Sequence, residues 1–479
     1  MQPILSPAKQ FIFTSYSFDP TTGEVLLKYA IDEEEFVERL VFPVISPPLQ
    51  GGVGGGGESA RGSEAPRERR TEGALDRALF TLHLIAGISY YKAKLPPEIV
   101  IQSGSLTQEQ AEFWNTLYTQ GLGEFFFRND LNGEGYVKFP VGRDQITENP
   151  PPLQGGVGLP LRSSEGAKGG GGLLPIGGGK DSLVAIELLR SAGIDFDLVM
   201  FGNHARIREV AAEVGKPLLQ ITRTIDPKLI ALNKAGAWNG HVPITAYVAV
   251  ASMIVALLHG KRDVIFANER SANVGNIEID GTVINHQYSK SLDAERSLQQ
   301  YISSFVSSET RIFSLLRPLS ELDIARRFAA NGKYFNVFSS CNKNFKQSGV
   351  PSVTRWCGTC PKCAFVFVML GAFIPRRKMI EMFGEDLLMN RDLIQMYKDL
   401  SGYGAMKPFE CVGEYEEVIA AFALIEGRGE YDDSPVMQWF TVEVMTTRKD
   451  IDALIDHALT LSKEHAMPEE YAQFVYASR

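Results

Sequence analysis

The stretch from Leu173 to Gly193, "LLPIGGGKDSLVAIELLRSAG", decides how this chain is read. A short apolar run predicts a strand and three glycines predict a tight loop. The segment from Ser182 predicts a helix with apolar positions Leu183, Ile186, Leu188 and Leu189, closed by Gly193. The phosphate loop of kinases and GTPases needs Ser or Thr after Gly-Lys to ligate magnesium, and here Gly179-Lys180 is followed by Asp181. A strand, Gly177, Gly178 and Gly179, then a helix N-terminus still place free backbone N–H groups around an anion, and glycine lets phosphate oxygens approach. Lys180 supplies a point charge and Ser182 a hydroxyl. Asp181 fits beside a phosphate when magnesium lies between them, because a carboxylate is a good hard ligand. The alternative is a Gly-rich strand-to-helix turn that holds no ligand.

Downstream, "FDLVMFG", "PLLQITRT" and "DVIFANE" read as strands, and "ARIREVAAEVG" and "PITAYVAVASMIVALLHG" as helices. Strands alternating with helices predict an α/β fold, a doubly wound and mostly parallel sheet covered on both faces. Ligands in such sheets sit beyond the carboxyl ends of the strands. Phe201, Gly202 and Asn203 fall at one such end, and Asn268, Glu269 and Arg270 at another. Phe201, Asn203 and Arg270 therefore join the loop residues as candidate nucleotide contacts.

A second signal is "CNKNFKQSGVPSVTRWCGTCPKCAF". Cys357, Cys360 and Cys363 form C-x2-C-x2-C, with Cys341 sixteen residues upstream. Four thiolates suit a closed tetrahedral zinc site that clamps a long loop; an iron–sulfur cluster uses similar spacing. Cys411 stands apart and reads as an inert thiol.

The N-terminal part predicts an α+β region. "FIFTSYSFDPTTGEVLLKYAI" gives two strands around a turn and "LDRALFTLHLIAGISYYKAK" a helix in which His83 packs. "EQAEFWNTLYTQGLGEFFFRN" starts as a helix, and "GYVKFPV" reads as a strand. The octapeptide "PPLQGGVG" occurs from Pro47 and again from Pro151, each time leading into Gly- and Ser-rich sequence. Both surroundings, roughly 46–72 and 147–172, read as flexible insertions. After Pro375, helical apolar spacing recurs to the end. The expected organisation is 1–172 for the N-terminal region with its insertions, 173–375 for the sheet with the four-cysteine site, and 376–479 for a helical C-terminal region.

Composition narrows the function classes. The 479 residues are 44% apolar and 22% charged, with a net charge of −9, as in a soluble globular protein. That balance disfavours a dominant nucleic-acid surface. Neither a signal peptide nor a membrane-length apolar run is read, so a cytoplasmic protein with no membrane partner is expected.

"GGGKDS" resembles the loop of the PP-loop ATP pyrophosphatases, usually Ser-Gly-Gly-x-Asp-Ser, with glycine here in place of the first serine. The resemblance implies ATP and magnesium, a grip on the β,γ-diphosphate, and attack at the α-phosphorus. One upstream cysteine plus a close triplet is also similar to 7-cyano-7-deazaguanine synthase, which implies structural zinc. "NERSANVGN", "NHQYSKS" and "RWCGTCPKCAFVF" resemble one PP-loop family over most of 173–375, the UDP-N-acetyl-α-D-muramoyl-L-alanyl-L-glutamate epimerases of peptidoglycan synthesis. This implies a UDP-sugar dipeptide substrate whose terminal L-Glu carboxylate is adenylated, so that its α-carbon can be inverted. Lys180 and Asp181 would act at the ATP loop; His241, His286, Tyr288 and Lys290 are the acid–base candidates, and Arg270 and Arg355 would grip carboxylate or phosphate. Rival readings are another PP-loop carboxylate-activating enzyme, either a ligase or a tRNA-modifying enzyme, and a non-catalytic nucleotide-binding module.

Overall fold

The computed structural model of the chain describes residues 7–44, 65–142, 171–279, 281–345 and 354–478. Both copies of the octapeptide lie outside these residues.

The N-terminal segment opens with an antiparallel meander of β1 (Gln10–Asp19), β2 (Glu24–Ile31) and β3 (Glu34–Val41). β1 and β2 are the two expected strands. β3 hides in a charged sequence, EEFVERLV, in which Phe36, Glu38 and Leu40 alternate into the interior. Glu38 is tolerated there because Arg223 grips it with two hydrogen bonds of 2.7 and 2.9 Å. Helix α1 (Ala65–Tyr91) begins inside the span read as a flexible insertion, so that reading does not hold for 65–72. Strand β4 (Glu98–Ile101) pairs parallel to β1. Helices α2 (Gln108–Gly121) and α3 (Gly123–Arg128) follow, α2 opened by a reciprocal Thr107–Gln110 capping box. The expected strand at 135–141 is absent. Its apolar residues instead seal α2: the Phe139 ring packs on Trp114 and Tyr118, while its amide donates to the Asn115 side chain at 2.8 Å.

The second segment alternates β5 (Gly172–Pro175), α4 (Lys180–Ser191), β6 (Phe196–Phe201), α5 (Ala205–Val214) and β7 (Leu218–Thr224). It continues through α6 (Pro227–Lys234) and α7 (Ile244–Leu258) to β8 (Asp263–Phe266). A small hairpin, β9 (Ile277–Ile279) and β10 (Thr282–Ile284), precedes α8 (Leu292–Phe305) and β11 (Arg311–Ser314). The strands lie in the order β11-β8-β5-β6-β7-β3-β2-β1-β4, and the first five are mutually parallel. β3 joins β7 antiparallel, which fuses the N-terminal meander into the same nine-stranded sheet.

Alternation along each strand sends neighbours into opposite cores. Leu173, Val199, Val264 and Ile312 pack with α1 and α7 on one face. Leu174, Leu198, Ile265 and Phe313 pack on the other with α4, α5 and α9 (Glu321–Ala329). Helices thus cover both faces, as the sequence predicts.

The remaining helices are α10 (Asn342–Phe345), α11 (Pro361–Gly371), α12 (Arg376–Phe383), α13 (Ile394–Leu400), α14 (Tyr415–Glu426), α15 (Pro435–Trp439), α16 (Ile451–Leu459) and α17 (Glu469–Ala477). The C-terminal set shares one core with α4 and α9. Met379, Met382 and Met437 are buried in it. Among the described residues no helix is long and apolar enough to cross a membrane.

Candidate active site

In the parallel half of the sheet, chain order runs outward from β5 in two directions: to β6 and β7 on one side, and to β8 and β11 on the other. The reversal between β5 and β8 is the crevice where ligands of open α/β sheets bind. The glycine loop leaves β5 at that crevice, and Asn268–Glu269–Arg270 leave β8 beside it.

Gly178 has φ +81°, a conformation in which a side chain is strained. A Cβ on Gly179 would come within 2.7 Å of the Ser340 hydroxyl. A Cβ on exposed Gly177 would meet nothing within 4 Å, so open space lies above the first glycine. Gly179 caps α4 without any side-chain hydrogen bond, leaving the helix N-terminal N–H groups to a ligand or solvent. Ser182 turns its hydroxyl to the Gly179 carbonyl at 3.0 Å.

Lys180 is fully buried, hydrogen-bonded to Asp181 at 2.5 Å and paired with Glu321. Lys362 approaches Glu321 at 3.8 Å from α11. Burial pushes the Asp181 carboxyl up, but Lys180 and then Lys362 outweigh it and hold it below its ordinary value. Burial wins at Glu321, whose carboxyl is raised despite Lys180. Asp181, Glu269 and Glu321 each offer a carboxylate oxygen within 4.8 Å of the others, a hard oxygen set that fits magnesium. Glu321 and Lys362 draw no notice in the sequence, because their partners lie 41 to 141 residues away along the chain, and Glu269 stands out there only as part of a strand end.

The polar stretch after β8 folds back over α3. His286 Nδ1 hydrogen-bonds Glu124, and His241 Nδ1 stands 3.7 Å from the same carboxylate, with the two imidazole centroids 4.3 Å apart. The two rings are driven apart in basicity. Burial and the neighbouring His286 bring His241 down to about 4. His286, which burial alone would lower, is raised to about 9 by Cys411 and Glu124. Lys290 Nζ reaches the Cys411 sulfur at 3.4 Å, and its charge also feels Glu269 and Asp181. One charged network therefore runs from the glycine loop through Lys290 and Cys411 to His286, Glu124 and His241. Cys411 and Glu124 are members that sequence reading missed; only distance in space, not spacing in the chain, connects them to the rest.

Other candidates are placed differently. Tyr288 lines a groove with Phe113, Leu117 and Tyr301. Arg270 donates to the carbonyls of His457 and Thr460, both at 2.8 Å, closing the end of α16. Arg355 bonds the Val337 carbonyl at 2.6 Å and Glu209 at 2.9 Å. Phe201 packs on Tyr247, and the Asn203 side chain accepts from Arg208.

Cys341, Cys357, Cys360 and Cys363 converge, all four sulfurs lying within 4.8 Å of one another. The Cys363 sulfur lies 3.7 Å from that of Cys357 and 3.4 Å from that of Cys360. A tetrahedron with metal–sulfur bonds of about 2.3 Å has edges of about 3.8 Å, so the donor set fits zinc.

Sequence comparison agrees along nearly the whole length. The MurL N-terminal domain matches residues 5–315 and the MurL C-terminal domain residues 337–454. A UDP-N-acetyl-alpha-D-muramoyl-L-alanyl-L-glutamate epimerase of Xanthomonas oryzae pv. oryzae is 39% identical over 460 residues, 96% of this chain and 95% of its own. Proteins of the same description from Salinispora tropica and a Micromonospora species are 39% and 37% identical, covering 89% and 97% of this chain and 87% and 97% of their own. Matched by both MurL domains and by these relatives over most of its length, the chain belongs to the MurL family of epimerases.

Proposed function

We propose that this chain inverts the α-carbon of the terminal L-glutamyl residue of UDP-N-acetylmuramoyl-L-alanyl-L-glutamate, using ATP to adenylate its carboxylate and releasing AMP and diphosphate. The substrate is carried over from the names of relatives that align along almost the entire chain. The ATP reading rests on one observation: an uncapped α4 N-terminus and open space above Gly177 lie at the switch point of the sheet. A PP-loop-type grip on the β,γ-diphosphate there would leave the α-phosphorus open to attack.

The chemistry needs this activation. An α-proton beside a free carboxylate is scarcely acidic, since its removal piles a second negative charge next to the first. Adenylation removes that charge and supplies an electron sink. Lys180 neutralises phosphate charge, and Asp181, Glu269 and Glu321 would hold magnesium, which neutralises charge on the diphosphate when bound. The four cysteines would hold zinc in a structural role, tying the loop after α9 to α11. Inversion then requires groups that reach both faces of the α-carbon.

The test is diphosphate release from ATP and magnesium with the L-Glu substrate, with its D-Glu epimer, and with neither, run in D2O with chiral analysis of glutamate. Release that depends on the L-Glu substrate, with deuterium at an inverted α-carbon, is the expected result. ATP turnover indifferent to this substrate would overturn the assignment.

A further inference from the structure

The charged network holds one nucleophilic group with no role assigned above. Cys411 sits in the loop before α14, at the junction of three elements. Lys290 approaches its sulfur at 3.4 Å. The His286 imidazole, which bonds Glu124, adds a second positive charge beside it. Lys362 fixes its backbone by donating to its carbonyl. Gln287, buried beside them, gives its Nε2 to the Val412 carbonyl at 3.3 Å, which ties the histidine loop to the cysteine loop; its Oε1 is buried without a partner.

We propose that Cys411 is a catalytic residue of the inversion, a thiolate that takes the α-proton from one face of the activated glutamyl residue, with Lys290 and His286 as positioning residues. This rests on the function proposed above. In the step, the Cα–H bond breaks and an S–H bond forms, while the C–H electron pair moves into the acyl carbonyl to give an enolate. A solvent-derived proton is delivered to the opposite face, the pair returns to re-form Cα–H, and the Cys411 thiol gives its proton to solvent to restore the thiolate, His286 remaining an imidazolium throughout. No oxidant or reductant is needed.

Among the basic groups near the crevice, Cys411 suits this task best. The charged groups facing it are Lys290 and His286 from the polar loop, Lys362 from α11 and its neighbour Glu410. Burial alone would raise the thiol, but Lys290, then His286, then Lys362 bring it down to about 6. Lys290 is held charged by Cys411, Glu269 and Asp181 against its own desolvation, and His286 stays an imidazolium at neutral pH, so neither is free to accept a proton. A base whose pKa lies near the working pH transfers protons most effectively.

The experiment compares the full-length wild type with C411S and C411A, in D2O with ATP, magnesium and the L-Glu substrate, reading diphosphate release and α-carbon inversion separately. Both variants are expected to keep a first-turnover burst of substrate-dependent diphosphate, about one equivalent per enzyme, while inversion falls about 10²- to 10⁴-fold. Labelling with iodoacetamide from pH 5 to 9, with mass spectrometry of the Cys411 peptide, should give a half-maximal rate near pH 6 that moves upward in K290M. Inversion at the wild-type rate in either variant, or loss of the first-turnover diphosphate burst together with inversion, would overturn the proposal. A wild type that releases no diphosphate with this substrate would instead sink the reading on which it rests.

Discussion

The backbone amide of Ser339 donates to the carbonyl of Gly178 at 3.0 Å, joining the loop that leads to Cys341 directly to the glycine loop. Ser340 lies against Gly179 from the same side. The four-cysteine cluster therefore buttresses the crevice, and its integrity governs the position of the loop that would hold phosphate. Purified protein should carry about one equivalent of zinc by elemental analysis. C341S and C360S should lose it, lower the unfolding midpoint by roughly 5–10 °C, and reduce diphosphate release although neither residue touches ATP. Iron and acid-labile sulfide in place of zinc would identify a cluster instead.

The glycine loop separates folding from binding within three residues. G177A places a methyl in open space, so the unfolding free energy should change by less than about 0.5 kcal/mol. The same methyl obstructs phosphate, and ATP affinity measured by calorimetry should fall at least about tenfold. G178A, at φ +81°, should be destabilised by about 1 kcal/mol or more as well. Normal ATP affinity in G177A would show that phosphate does not pass over Gly177.

Part of this organisation is legible in the sequence, and part is not, for physical reasons. β5, the glycine loop and α4 announce themselves because strand, turn and helix signals are local and agree with one another. The cysteine triplet is legible because ligand spacing is itself a local code. β3 is not, because Glu38 looks like a surface residue until Arg223, contributed by a strand 185 positions on, neutralises it. Glu124, Glu321 and Cys411 escape for the same reason: a buried charge or thiol is explained only by partners the chain brings from elsewhere. Phe139 and its neighbours mimic a strand because residues that seal a helix are as apolar as residues in a sheet.

Lys180 and Glu321 form a buried pair, with side-chain exposures of 1% and 2%. Removing one partner strands the other, so K180M should cost about 3–5 kcal/mol in stability. K180M/E321Q removes both charges and should recover most of that loss in a urea titration. Diphosphate release should stay depressed in the double variant, because both the buried cation beside Asp181 and one carboxylate of the magnesium set are gone. Recovery of turnover together with stability would reduce Lys180 to a structural role.

His83 gives the protein an acid-labile point far from the crevice. It is fully buried among Phe13, Tyr16 and Tyr29, with Nε2 on the Lys28 carbonyl at 3.0 Å and Nδ1 on the Ser103 hydroxyl at 3.1 Å. Burial lowers its pKa to about 3, well under the ordinary 6.5. Between those values the unfolded chain binds a proton that the folded chain refuses, so the contribution is complete above pH 6.5 and is lost as pH falls towards 3. Each unit in that window removes about 1.4 kcal/mol, or about 2 kcal/mol between pH 7 and 5. H83Q keeps a donor for the Lys28 carbonyl but does not titrate. The stability difference between wild type and H83Q should therefore shrink by about 2 kcal/mol from pH 7 to pH 5 in urea unfolding. Parallel pH profiles for the two proteins would show that His83 is protonated in the folded state.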